Sequence, residues 1–125
     1  MLDAGKTKTI ILIVEDDSWQ RMYAADLIES AGYDVTEAES GDEAIELLEA
    51  RKDICIVFTD IEMPGSMDGL KLARAIRDRW PPIQLIITSG KHDLDADQIP
   101  ERGKFLPKPY RSDALLEVIK GLSVL

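Results

Sequence analysis

The chain has very few of the side chains that carry thiol or imidazole chemistry. Its 125 residues include one cysteine and one histidine. The lone Cys55 excludes a disulfide within the chain, and its apolar surroundings predict an inert, buried thiol. His92 is not accompanied by a Gly-x-Ser-x-Gly elbow, which argues against a Ser-His-Asp hydrolase. The Gly-x₄-Gly-Lys-Ser/Thr loop of P-loop nucleotide enzymes is also absent.

Long apolar runs and concentrated positive charge are missing as well. No apolar run approaches the ~20 residues that a helix needs to cross a bilayer, and the N-terminus carries no signal-peptide pattern. Together with the single cysteine, these features favour the cytoplasm. The formal net charge is -9. No block of basic residues offsets this charge, so we expect no direct binding to nucleic acid.

What the sequence does contain is an alternation of short apolar runs with amphipathic ones. Hydrophobic residues make up 45% of the chain and charged residues 31%, which is ordinary for one globular domain. We expect a polar lead-in over residues 1–8 and a single domain over residues 9–125. Strands are predicted at 10–14, 34–38, 54–59, 83–88 and 104–106, and helices at about 18–31, 41–51, 70–79 and 112–122.

Strands that alternate with helices predict a parallel sheet covered on both faces, in a doubly wound α/β fold. In such folds, ligands bind beyond the carboxyl ends of the strands, where the strand order reverses. The residues that directly follow each strand are therefore the candidates for function. One helix start is also marked, because Ser40 and Glu43 have the spacing of a capping box.

Polar residues follow four of the predicted strands. Glu15 and Asp16 follow the first, Asp60 the third, Thr88 ends the fourth, and Lys108 follows the fifth. Each has an ordinary explanation when taken singly, because acids cap helices, threonines bond to turns and lysines cover surfaces. The combination is more informative, because a doubly wound sheet brings the ends of its central strands together.

The three acids among these residues predict a site for a hard cation. Two carboxylates ~5 Å apart repel by ~3 kcal/mol at an effective dielectric constant of 20, so they need a cation or must partly protonate. Oxygen ligands suit a partly hydrated Mg²⁺ beside a phosphate. Neither histidine nor cysteine occurs at these positions, which argues against zinc.

Five short motifs occur in order along the chain. They are ILIVEDD at 11–17, FTDIEMP at 58–64, MDG at 67–69, IITS at 86–89 and FLPKPY at 105–110. This set resembles the receiver domains of two-component response regulators, above all single-domain receivers and those attached to hybrid kinases. The match runs from about residue 9 to residue 122. It implies a flavodoxin-like (βα)5 fold with strand order 2-1-3-4-5.

The resemblance also implies a role for each acid of the site. Asp60 is expected to accept a phosphoryl group from a phosphohistidine, carried by a sensor histidine kinase or a histidine phosphotransfer protein. Glu15, Asp16, Asp60 and the backbone carbonyl of Glu62 are expected to hold Mg²⁺. The domain is then a signalling switch in a phosphorelay, which assists its own phosphotransfer and autodephosphorylation and is no conventional enzyme.

Four further residues acquire roles from the same resemblance. Lys108 is expected to neutralise charge on the phosphoryl group, and a cis peptide bond before Pro109 to direct its side chain. Thr88 is expected to donate a hydrogen bond to the phosphoryl group, and Phe105 to turn into the vacated space. The surface of the fourth helix, fifth strand and fifth helix then changes for a downstream protein. The alternative that Phe105 is a plain core residue stays open.

Two departures from the family pattern and two rival functions complete these expectations. The loop from Asp60 to Gly69 is one residue longer than the common pattern. Residues 90–102 are polar and interrupted by Pro100, which predicts a short or mobile fourth helix. The rival functions are a Mg²⁺-dependent aspartyl-phosphate phosphohydrolase and a degenerate receiver that only binds partners. Such hydrolases commonly carry a second aspartate two residues after the nucleophile, where this chain has Glu62.

Overall fold

The structure is a computed structural model that describes residues 9–65 and 67–123. The lead-in predicted for residues 1–8 lies outside the described residues. The strands are β1 (Ile10–Val14), β2 (Asp34–Ala38), β3 (Ile54–Asp60), β4 (Gln84–Ser89) and β5 (Gly103–Pro107). The α-helices are α1 (Ser18–Ser30), α2 (Gly41–Ala50), α3 (Gly69–Arg79) and α4 (Ser112–Ser123).

The five strands form one parallel sheet in the order β2-β1-β3-β4-β5. The predicted doubly wound fold and its strand order are therefore confirmed. The strand order reverses between β1 and β3, which is where such sheets bind ligands. The register pairs Val14 with Thr59 and Asp60 with Thr88. The carboxyl ends of β1, β3 and β4 consequently lie side by side.

The core consists of two apolar layers, one on each face of the sheet. Helices α2 and α3 cover one face and helices α1 and α4 cover the other. Successive side chains of a strand point to opposite faces, so the central strands contribute to both layers. This explains why their sequences are continuously apolar instead of alternating. The fully buried strand residues include Leu12, Val57, Leu85 and Ile87 in the first layer, and Ile11, Ile56 and Ile86 in the second.

The connection from β4 to β5 contains a short 3₁₀ helix, Ala96–Gln98, in place of a fourth α-helix. The backbone N–H of Asp95 donates to the side chain of Gln98 at 2.8 Å, which closes this single turn. Pro100 follows and has no N–H with which to continue a helix. The fourth helix of the expected output surface is thus reduced to one turn, and the C-terminal helix is α4.

Side chains cap the starts of α1 and α2. The side chain of Asp17 caps α1 by accepting from the backbone N–H of Trp19 at 2.9 Å. Ser40 caps α2 by accepting from the N–H of Glu43 at 3.1 Å. The carboxylate of Glu43, however, accepts from the N–H of Glu39 at 2.6 Å. The predicted capping box is therefore half formed, because Glu43 binds the amide one residue before the cap.

The expectation of a buried thiol at Cys55 is wrong, since this residue is exposed. Ile10 of β1 pairs with Ile54, whereas Ile11 pairs with Ile56, so the register shifts by one residue at this point. Cys55 is the extra residue of that irregularity, and an extra residue in a strand is left out of the ladder. Its sulfur lies 3.6 Å from the backbone oxygen of Asp53.

Within the described ranges, none of the helices has both the length and the apolar character needed to cross a membrane.

Gly69, the first residue of α3, lies directly against the backbone of Asp60. A Cβ atom at this position would overlap the carbonyl oxygen of Asp60 and lie 2.8 Å from the Cα of Ile61. The N–H of Gly69 donates to the carbonyl of Ile61 at 3.0 Å. The start of α3 therefore fixes the backbone that carries Asp60, and this close approach requires glycine.

We expect Gly69→Ala to lower the free energy of unfolding by roughly 1–3 kcal/mol. The reason is that the new Cβ atom would overlap backbone atoms of Asp60 and Ile61, which can shift only with strain. Gly121→Ala is the matched control. Gly121 lies in α4 with open space around its Cα, so alanine there should stabilise the helix by up to about 1 kcal/mol. Urea denaturation measures both changes. Equal effects of the two substitutions would show that the contact at Gly69 is not tight.

Candidate functional site

The residues predicted at the strand ends meet at the carboxyl edge of the sheet. Glu15 follows β1, Asp60 ends β3, and Lys108 follows β5. One carboxylate oxygen from each of Glu15, Asp16 and Asp60 lies within 4.8 Å of the other two. Asp16 is exposed, whereas Glu15 and Asp60 are buried. The sheet therefore forms an acidic pocket with one open side.

Lys108 is the cation of this pocket. Its Nζ lies 3.2 Å from Oε1 of Glu15 and 3.2 Å from Oδ2 of Asp60. It also donates to Oε1 of Gln20 at 2.5 Å. The side chain of Lys108 is only 20% exposed, and those of its two carboxylate partners are 8% and 6% exposed. The pairs are thus poorly screened by solvent, so their electrostatic interaction is strong.

The positive charge of Lys108 does not fully offset the burial of its partners. Burial raises the pKa of Asp60 even though Lys108 acts to lower it. The pKa of Glu15 is also raised, first by burial and further by the charge of Asp60. Burial lowers the pKa of Lys108, but the charges of Glu15 and Asp60 outweigh this and raise it. The pocket therefore favours an additional cation.

Two buried side-chain oxygen atoms in the described part of the chain have no hydrogen-bond partner, and both belong to residues that line this pocket. They are Oδ1 of Asp60 and Oγ1 of Thr88. A buried polar atom without a partner is costly, so each is an open position for a ligand. The first can bind a cation or a phosphorus atom, and the second can donate to an anionic oxygen.

The donor set fits Mg²⁺ and fits zinc poorly. Three carboxylates converge, one of them with an unpartnered oxygen. Mg²⁺ binds through one or two carboxylates and keeps several waters, which the open side at Asp16 allows. Glu62, whose backbone carbonyl is the fourth predicted ligand, lies two residues after Asp60 on the same edge.

The side chain of Glu62 ties the segment after β3 to the segment after β4. Its carboxylate accepts from Oγ of Ser89 at 2.5 Å and from the N–H of Gly90 at 3.2 Å, and it lies 2.6 Å from Nδ1 of His92. Burial raises the pKa of Glu62, but the hydrogen bonds from Ser89, His92 and Gly90 outweigh it and hold this pKa low. Sequence reasoning missed this cluster.

The remaining predicted residues lie on or after β5. Phe105 pairs with Ile87 of β4, is half-buried, and packs against the layer formed by α2 and α3. Both interpretations of Phe105 are compatible with this position. The peptide bond between Lys108 and Pro109 is cis. The N–H of Lys108 donates to the carbonyl of Ser89 at 2.9 Å, which fixes the start of its side chain beside β4.

An open, largely apolar groove adjoins the pocket. Its volume is about 500 Å³. Exposed aromatic side chains of α1 form one wall, with Trp19 80% and Tyr23 54% exposed. Tyr110 forms another wall, and its ring packs edge-on against Phe58 at 5.8 Å. Lys108 lines both the groove and the pocket, so whatever occupies the groove also lies beside the buried acids.

The chain matches the response regulator receiver domain family over residues 11–120. It is 40% identical over 116 residues to the sensor kinase CckA of Brucella abortus (strain 2308), which covers 90% of this chain and 12% of CckA. It is 32% identical over 120 residues to the response regulator receiver protein CpdR of the same strain, covering 91% of this chain and 96% of CpdR. A solved response regulator receiver protein from Sinorhizobium medicae WSM419 has a TM-score of 0.85 at 29% identity, covering 92% and 94% of the two chains.

We expect Asp60→Asn to raise the free energy of unfolding of the metal-free protein at neutral pH. Burial raises the pKa of Asp60, so the folded state favours the protonated carboxyl group. The stabilisation from this protonation is complete below the ordinary Asp pKa of about 3.9. It is lost as the pH rises through the raised pKa of the folded state. The advantage of the Asn variant should therefore grow as the pH rises from about 4 to 7. Urea denaturation in the presence of EDTA measures it. A variant that is less stable than the original protein at pH 7 would contradict the account.

Proposed function

The chain belongs to the response regulator receiver domain family, and from this premise we propose that it is a signalling switch whose Asp60 accepts a phosphoryl group from a phosphohistidine. The observation that carries the proposal is the unpartnered, buried Oδ1 of Asp60 in a pocket where Lys108 supplies the charge for an incoming anion. Receiver domains act as signalling modules, and the expected donor is a sensor histidine kinase or a histidine phosphotransfer protein.

The transfer itself follows from the chemistry of the groups present. A carboxylate oxygen of Asp60 attacks phosphorus, the O–P bond forms, and the P–N bond breaks with its electron pair returning to the imidazole nitrogen. Lys108 meets the negative charge on the phosphoryl oxygens, which is electrostatic and positional catalysis. Mg²⁺ held by Glu15, Asp16, Asp60 and the backbone carbonyl of Glu62 would supply further charge neutralisation.

The switching step is proposed to start at Thr88. Its hydroxyl lacks a partner, and its β-strand neighbour is Asp60 itself. A phosphoryl group on Asp60 adds charge and acceptor oxygens, so Thr88 can donate to it without first breaking another hydrogen bond. Phe105 of β5 pairs with Ile87, the residue that precedes Thr88 on β4. A change at β4 then reaches β5 and α4, which form the proposed output surface.

We expect intact-mass analysis to show one phosphoryl adduct after incubation with acetyl phosphate and Mg²⁺. The reason is that acetyl phosphate supplies a good leaving group and needs no docking surface. EDTA should prevent the adduct, and Asp60→Asn should abolish it. Asp53→Asn is the matched control, because Asp53 lies outside the pocket and pairs with Arg51.

Two outcomes of that experiment separate the rival functions. Continuous release of phosphate from a free phosphomonoester, without accumulation of the adduct, would favour a phosphohydrolase. A folded protein that acquires no adduct would favour a degenerate receiver that acts by binding alone.

The donor protein is proposed to dock on the groove between α1 and Tyr110. A phosphohistidine can reach Asp60 only if its carrier lies over the open side of the pocket, and the groove shares Lys108 and Gln20 with that pocket. The exposed aromatic rings of Trp19 and Tyr23 are suited to the apolar face of a donor helix, because large aromatic side chains dominate interface energies.

We expect Trp19→Ala to slow transfer from a subsaturating phosphorylated histidine phosphotransfer protein by about fivefold or more, because loss of an aromatic anchor typically removes more than 1 kcal/mol of binding. Labelling by acetyl phosphate should change less than twofold, since this donor needs no groove. Lys71→Ala is the control, as Lys71 is exposed on α3, which covers the opposite face of the sheet. Equal slowing with both donors would place the effect of Trp19 in the pocket and not in docking.

A further inference from the structure

Gln20, in the first turn of α1, connects the pocket lysine to the cap of its own helix. Its carbonyl oxygen accepts from Nζ of Lys108 at 2.5 Å, and its amide nitrogen donates to Oδ2 of Asp17 at 3.3 Å. The same Asp17 carboxylate accepts from the backbone N–H of Gln20 at 3.2 Å. The side chain is therefore held at both ends of its amide, and its orientation is fixed.

Both contacts require a neutral group that accepts at one atom and donates at another, as the amide of Gln20 does. The ammonium of Lys108 offers donors alone, and the carboxylate of Asp17 offers acceptors alone. An amide presents an acceptor to the first and a donor to the second. A carboxylate at this position would be repelled by Asp17, and an apolar side chain of the same length would leave both groups without this partner.

The contact completes the set of partners around Lys108. An ammonium group has three N–H donors. The structure places three oxygen atoms around it, through hydrogen bonds to Glu15 and Gln20 and an ion pair with Asp60. Two of them lie inside the acidic pocket. Gln20 differs because it lines both the pocket and the groove. Gln20 consequently holds the ammonium group from the groove side, where the phosphoryl donor is proposed to dock.

We propose that Gln20 is a positioning residue that holds the Lys108 ammonium at the mouth of the pocket, in the path of the transferring phosphoryl group. The inference rests on the proposed function and deepens it. A lysine side chain has many accessible rotamers, and the two buried carboxylates attract its charge inwards. A neutral acceptor at the mouth balances that attraction without adding negative charge in the path of an anion.

A positioning role for Gln20 predicts that its loss affects the rate of phosphoryl transfer but not the affinity for Mg²⁺. Gln20 touches Lys108 and Asp17 and is not one of the three clustered carboxylates. Its loss should therefore slow phosphoryl transfer and leave the binding of Mg²⁺ nearly unchanged. A purely structural role in α1 would affect both quantities through stability, or neither.

The test is the rate of adduct formation from acetyl phosphate at saturating Mg²⁺ and donor. The apparent Mg²⁺ affinity comes from a separate series in which the Mg²⁺ concentration is varied through its midpoint. We expect Gln20→Met, which keeps the length of the side chain and removes both hydrogen bonds, to lower the rate three- to tenfold and to change the Mg²⁺ affinity less than twofold. Glu29→Met is the matched control, an exposed position at the far end of the same helix. It should leave both quantities unchanged.

A second background shows whether Gln20 acts through Lys108. In the Lys108→Ala variant, labelling is slow and is followed over hours. Adding Gln20→Met to this variant should not lower the rate of adduct formation further. An unchanged rate for Gln20→Met alone, or an equal loss in the Lys108→Ala background, would overturn the inference. Failure of the proposed function looks different, because the unsubstituted protein would then acquire no adduct, or Asp60→Asn would still acquire one.

Discussion

Two buried carboxylates share one ammonium group at the end of this sheet, and the rest of the site follows from that shortage of positive charge. Lys108 lies 3.2 Å from an oxygen of Glu15 and 3.2 Å from an oxygen of Asp60. Even so, the pKa values of both acids are raised, chiefly because the groups are buried. The negative charges of these buried acids are only partly neutralised, so binding of a cation stabilises the site. Asp16, the third acid of the cluster, lies at the open side, where hydration is still possible.

The fold creates this arrangement through the sheet and not through the pocket residues themselves. Parallel strands covered on both faces bring their carboxyl ends to one edge, and the strand order places β1 beside β3. Gly69 lets α3 begin against the backbone of Asp60, so Asp60 lies on a rigid segment. The carboxylate of Glu62 then joins the segment after β3 to Ser89, the last residue of β4, and to His92 beyond it. The pocket is thus built from backbone that the core holds in place.

Much of this was predictable from sequence, because strands buried on both faces give continuous apolar runs whose ends are easy to locate. The strand-end positions of Glu15, Asp60 and Lys108 follow from that pattern. The contacts of Gln20 and His92 do not, because they depend on side-chain reach between elements far apart in the chain. Cys55 was misjudged for a related reason. A register shift between β1 and β3 leaves no mark in the residues of β3 alone.

The central claim is that Asp60 and Lys108 form the two sides of a phosphoryl site completed by Mg²⁺. A crystal structure of the protein with Mg²⁺ and beryllium fluoride, a stable mimic of the phosphoryl group, tests it most directly. The account predicts beryllium bonded to a carboxylate oxygen of Asp60, with Lys108 and Thr88 in contact with its fluorides and Mg²⁺ between Glu15, Asp16 and Asp60. Beryllium fluoride bound elsewhere, or bound at Asp60 without contact to Lys108, would contradict it.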